Sequence, residues 1–171
     1  MRISEKIKLK VDNFCNDFNS NSLLFKTARE GKLTDQVVAN YLINLECLFS
    51  ENCKAFEVAL ISPKICERMK NFLEDKISEE SGHDKWARSD FENLRNKKFV
   101  HSISILDELK SFISYIHSSA FTNPVLMAIY CYVAEYKVTI LGPIWIALLD
   151  QNLGIKPREV TALSNHISLD V

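Results

Sequence analysis

Helix breakers are scarce in this chain, and that scarcity constrains its fold more than any other feature: glycine and proline occur four times each in 171 residues. Tight turns draw heavily on these two residues, so a strand-rich fold with many turns is disfavoured and long helices are implied. The few breakers mark the boundaries. A first helix is expected over about residues 3 to 18. A short one follows from Leu23 to Glu30 and is stopped by Gly31. Thr34 is a candidate N-cap with Asp35 in the first turn, opening a helix to about Ile61. Ser62-Pro63 predicts the next helix, from about Pro63 to Leu94, and the polar run NLRNKK reads as a loop. A helix over about Val100 to Ser118 comes next, then a long one from Pro124 to near Asn152 that Pro143 is expected to kink. Gly154 and Pro157 set off a last helix from about 157 to the end. The expectation is one all-α domain of about seven helices spanning residues 1–171.

The stretch Pro124 to Leu149 is apolar almost all round, with Glu135 and Lys137 as its only charges. Those charges sit mid-segment, Pro143 interrupts it, and Val138 to Leu149 falls short of the roughly 20 apolar residues a membrane span requires. The reading is a central helix surrounded by the others, with no membrane association. A net charge of -1 gives no reason to expect nucleic acid as a partner. The N-terminal MRISEKIKLKVDNF lacks a continuous apolar core and a small-residue cleavage site, so a cytoplasmic location is expected. The five cysteines, Cys15, Cys47, Cys53, Cys66 and Cys131, are odd in number and form no CxxC. They read as reduced thiols that mainly fill the core.

At 100° per residue, Val38, Leu42, Leu45, Phe49, Cys53 and Phe56 form one stripe, and Glu46 lies within it. Glu57 projects toward the same stripe, but eleven residues on, or about 16 Å, it is too distant to share a site with Glu46. Ile65, Met69, Phe72, Leu73, Ile77 and Ala87 define a second stripe that includes Glu80 and, at its edge, His83. Glu135 has Cys131, Tyr132, Val138 and Thr139 within one turn, and His166 and Asp170 stand four apart beside Ala162 and Leu163. Helical bundles build carboxylate-bridged dinuclear sites this way, from Glu and Glu-x-x-His on facing helices. Oxygen and imidazole donors suit iron or manganese. Taken singly, each residue has a plainer account: a solvated Glu-x-x-His pair, a salt bridge from Glu46 to a lysine or arginine, a Glu135–Lys137 pair, a hydrogen-bonded core histidine. Together they would bury several charges for no shared reason.

These segments resemble a known family. NSLLFKTAREGKLTDQVVANYLINL looks like the opening of the heme-oxygenase-like helical fold, and EESGHDKW resembles the metal-binding helix of the heme-oxygenase-like diiron oxidases. AIYCYVAEYK is similar to that family's next ligand-bearing helix, and SNHISLDV to the start of its closing His-x-x-x-Asp-x-x-His motif. The resemblance implies an iron-dependent oxidoreductase that activates dioxygen at two iron ions, or an iron–manganese pair, and oxidises a small organic substrate. It implies Glu46, Glu80, His83, Glu135, His166 and Asp170 as the metal ligands, with Glu46 the least specific match. The motif's last histidine would fall at position 173, past Val171, which implies a closing helix cut short. Relatives of the fold often dimerise, so a homodimer is an open expectation.

Two other readings use the same fold. Thiaminase II-like hydrolases need no metal and use a cysteine nucleophile, for which Cys131 sits on the right helix. That family carries an Asp followed by aromatic residues on its first long helix, where this chain has Leu45-Glu46-Cys47. The third reading is a degenerate, non-catalytic binding protein in which the buried charges pair among themselves. Tyr130, Tyr132 and Tyr136 near Glu135 read as packing residues with locally satisfied hydroxyls.

Overall fold

A computed structural model describes residues 2–98 and 100–169, and every regular element among them is helical. The helices are α1 (Ile3–Asn21), α2 (Leu23–Arg29), α3 (Asp35–Leu60), α4 (Glu67–Glu80), α5 (His83–Lys97), α6 (Asp107–Thr122), α7 (Val125–Leu153) and α8 (Thr161–Leu169), with a 3-10 turn at Pro157–Glu159. The all-α class is as expected. The helix expected from Pro63 to Leu94 is two, α4 and α5, parted at Ser81-Gly82. The described chain forms two compact units, one from residues up to Val38 together with those from Tyr132 on, the other from Ala39 to Cys131.

In the first unit, the Ser22 hydroxyl caps α2 by accepting the Phe25 amide at 3.3 Å. Gly31, at φ 67, ends the helix in the left-handed region where glycine is at home. Phe25 packs edge-on against Phe18, with centroids 5.6 Å apart, and lies 5.5 Å from Trp145 of α7, so α1, α2 and α7 share aromatic contacts. Tyr136 ties α7 to α1 as well, donating to Asp12 at 2.6 Å and meeting Lys8 Nζ at 2.5 Å. Gly142 is a close-approach site: a Cβ there would lie 2.7 Å from Ile167 Cδ1 of α8.

The second unit is built on Ala55, Phe56 and Ala59 of α3, Leu73 of α4, Ile116 and Ala120 of α6, and Met127 and Cys131 of α7. Ile77 packs against this cluster from the last turns of α4. Thr34 begins α3 as expected, its hydroxyl accepting the Val37 amide at 3.3 Å. Ser62-Pro63 does not start α4. The Ser62 hydroxyl instead donates to the Phe121 carbonyl at 2.6 Å and accepts the Lys64 amide, and the helix begins at Glu67. The run NLRNKK continues α5 as far as Lys97 rather than forming a loop. Residues 100–106 are irregular instead of helical, because the Asn44 side chain clamps them, donating to Ser104 O and accepting from Leu106 N at 2.9 Å each.

Two further expectations are corrected. α7 is not sheathed all round: Val125, Ile129 and Tyr132, at helical spacing, are exposed. Taken whole, α7 is long and apolar enough to cross a membrane by length and composition, a test that core helices of soluble proteins also pass. Cys66 is exposed at the N-terminal boundary of α4, so it fills no core, whereas Cys15 and Cys131 are buried.

Candidate metal centre

Glu80 and His83 do not share one helix. Glu80 is the last residue of α4 and His83 the first of α5, and between them Gly82 adopts φ 96, ψ -2. An L side chain at that φ is strained, and this is what ends α4 and redirects the chain. The three-residue spacing still brings the two groups together. Nδ1 of His83 lies 3.1 Å from Oε2 of Glu80. His83 is buried; its ring stacks on Trp86 at 4.3 Å and 21°, and meets Phe49 of α3 edge-on at 6.0 Å. Two aromatic neighbours restrict the imidazole to one orientation.

The Glu80 carboxylate stands between the negative end of the α4 dipole and the positive end of the α5 dipole. Asp84 adds a further carboxylate in the first turn of α5. Burial first, then Glu80, Asp84 and Glu57, pushes the nearby Cys53 thiol up from its ordinary value. Bonds of about 2.0–2.2 Å to a first-row metal put neighbouring ligands of an octahedron about 2.8–3.1 Å apart. The 3.1 Å separation of Nδ1 and Oε2 fits that edge and equally fits a direct hydrogen bond between the two groups.

Glu46 also lies in the second unit. Its Oε1 accepts from Nε and Nη2 of Arg88, at 2.8 and 2.7 Å. The salt bridge is therefore present, and Glu57, read as facing the same stripe, is exposed. Glu51 pairs with His117 at 3.0 Å and with Lys54 at 2.6 Å, away from this group. Cys131 is enclosed in the apolar cluster of the second unit, unlike the exposed, electropositive setting of a reactive thiol.

In the first unit, Glu135 is half-buried on α7 and His166 is buried on α8 beside Ala162 and Leu163. Burial pushes the Lys137 ammonium below its usual range, only partly offset by Cys15. Two tyrosine hydroxyls are locally satisfied: Tyr130 donates to Asn52 at 2.8 Å, and Tyr136 to Asp12. Asp170 lies outside the described residues. Sequence reasoning missed Arg88, Trp86 and Phe49 as parts of the site. The i, i+3 spacings Glu46–Phe49 and His83–Trp86 were readable signals for the last two.

Among solved structures, the chain matches the crystal structure of a domain of unknown function with a heme oxygenase-like fold from Shewanella denitrificans OS217. The TM-score is 0.86 over 99% of this chain and 74% of that one. The chain has a heme oxygenase-like fold. At 23% identity the likeness carries the architecture and no activity. No family model matches the chain, and no curated protein matches it. Within the heme oxygenase-like fold, the Ser81-Gly82 junction is the local feature that holds the Glu80–His83 pair. Alanine at Gly82 meets open space, since nothing lies within 4 Å of the added Cβ, so its cost is conformational alone. The expected loss is about 1–2 kcal/mol, a fall of about 2–8 °C in melting temperature, with asparagine less harmful than alanine. An unchanged melting curve for Gly82→Ala would contradict this account of the junction.

Proposed function

We propose that this protein is a non-heme iron-dependent oxidase that uses dioxygen to oxidise a small organic substrate. The ligand set is Glu46, Glu80, His83, Glu135, His166 and Asp170, for two iron ions or an iron–manganese pair. The observation that carries the reading is the Glu80–His83 pair, a part-buried carboxylate and a buried imidazole whose ligand atoms lie 3.1 Å apart. Glu80, His83 and His166 each offer one ligand atom, a carboxylate oxygen or an imidazole nitrogen, and both histidines are buried. Such hard and borderline donors fit iron or manganese better than a thiolate-loving metal. Iron bound there supplies the activation of dioxygen. The carboxylates offset the charge of the ions, while Trp86 and Phe49 fix the His83 ring and keep water from its faces.

The test is anaerobic titration with ferrous iron followed by admission of air. Stoichiometric uptake and dioxygen consumption beyond that of free iron are expected. The absence of both would overturn the proposal in favour of a non-catalytic role.

A further inference from the structure

An arginine facing a carboxylate ordinarily engages both oxygens, fork to fork. Arg88 does otherwise. Its Nε and Nη2 both converge on Oε1 of Glu46, at 2.8 and 2.7 Å. Oε2 is buried and has no hydrogen-bond partner among the described residues. A carboxylate oxygen removed from water and given no donor is costly, so a carboxylate held this way stands ready for a cation.

Two contacts between α3 and α5 place Glu46. Phe49 meets His83, and Glu46, one turn earlier on α3, meets Arg88, five residues later on α5. The two helices therefore run antiparallel past each other, and Glu46 shares the α3 face that Phe49 presents to His83. Arg88 is half-exposed and also reaches Glu92 at 3.7 Å, so it is anchored from the solvent side, whereas the Glu46 side chain is only 18% exposed.

We infer that Arg88 is a positioning residue: it holds Glu46 through Oε1 so that Oε2 is presented as a single-oxygen ligand to the iron. This rests on the oxidase reading above. Outer-shell partners of ligating carboxylates fix their orientation and tune their affinity in this way.

The test is ferrous iron affinity, with the visible absorption of bound cobalt(II) as a readout of coordination, for the wild type and for Arg88→Gln, Arg88→Lys, Glu46→Gln and the Glu46→Gln/Arg88→Gln double variant. Arg88→Gln is expected to weaken iron binding roughly 10- to 100-fold and to change the cobalt spectrum. Arg88→Lys, which keeps a cation for Oε1, restores part of the affinity. The double variant binds no more weakly than Glu46→Gln alone, because Arg88 acts through Glu46. The metal-free melting temperature falls in Arg88→Gln, which leaves the largely buried Glu46 carboxylate without its donors, and much less in the double variant, so affinities are compared at a temperature where every variant is folded. Wild-type affinity and spectrum in Arg88→Gln would overturn the inference, as would an equal further loss in the Glu46→Gln background. Should Arg88→Gln fail to fold, Arg88→Lys decides, because a spectrum and affinity equal to those of Glu46→Gln would contradict the role of the cation. If the wild type binds no metal, the oxidase reading itself fails. If His83→Ala loses binding while Glu46→Gln keeps it, only the role given to Glu46 and Arg88 fails.

Discussion

Alanine at His83 is expected to abolish stoichiometric iron uptake and with it dioxygen consumption. In the proposed site the side chain supplies a ligand nitrogen, 3.1 Å from the Glu80 carboxylate, and α5 holds no other imidazole. The affinity loss should exceed the roughly 10- to 100-fold typical of losing an outer-shell partner. Packing complicates the variant, because the ring also stacks on Trp86 and touches Phe49. Such aromatic contacts contribute about 0.5–1.5 kcal/mol each, so alanine lowers stability as well. His83→Phe separates the two effects: it keeps a ring between Trp86 and Phe49 and removes the nitrogens. A phenylalanine variant that melts near the wild type yet takes up no iron isolates ligation. Retained uptake in both variants would remove His83 from the site. Cys131→Ser completes the comparison. Enclosed in the apolar cluster, that thiol should be dispensable for turnover; a loss of activity there, with His83→Ala still active, would point to a metal-free cysteine hydrolase instead.

What could be read beforehand was whatever local chemistry decides. Gly31 at φ 67 and the hydroxyls of Ser22 and Thr34 end and begin helices through contacts within a few residues, and these boundaries fell close to where the pattern put them. Ser62 is different. Its hydroxyl serves the Phe121 carbonyl, 59 residues away, and a cap-like dipeptide became part of a tertiary contact. The same is true of residues 100–106, whose apolar spacing suggested helix until Asn44 claimed their backbone. Gly82 lay within an otherwise helical pattern that tolerates an isolated glycine, so nothing local announced the left-handed turn. In the site, the Glu80–His83 spacing survived the break because a tight turn keeps residues three apart close. Arg88, 42 residues from Glu46, left no periodic trace.

The largest loss of stability is expected from Phe56→Ala. Phe56 is 2% exposed and meets side chains of α3, α4, α6 and α7 in the core of the second unit. Truncating a buried phenylalanine removes its transfer free energy and leaves a cavity, at about 3–5 kcal/mol. For a chain of this size that is a fall of about 6–20 °C in melting temperature. The consequence reaches the proposed metal centre by a traceable route. Leu73 and Ile77 pack in or against the same cluster, and Glu80 follows Ile77 by three residues at the end of α4. Loosening this core therefore frays the turn that presents Glu80, so iron affinity in Phe56→Ala should fall as temperature rises and recover on cooling. His83→Phe should show no such recovery, because its defect is a missing ligand rather than a loosened fold. The measurement is paired circular dichroism and iron uptake across temperature. Two results would count against the argument: a melting temperature within about 3 °C of the wild type, below the range that cavity formation implies, or iron loss in Phe56→Ala that persists where the helical signal is intact.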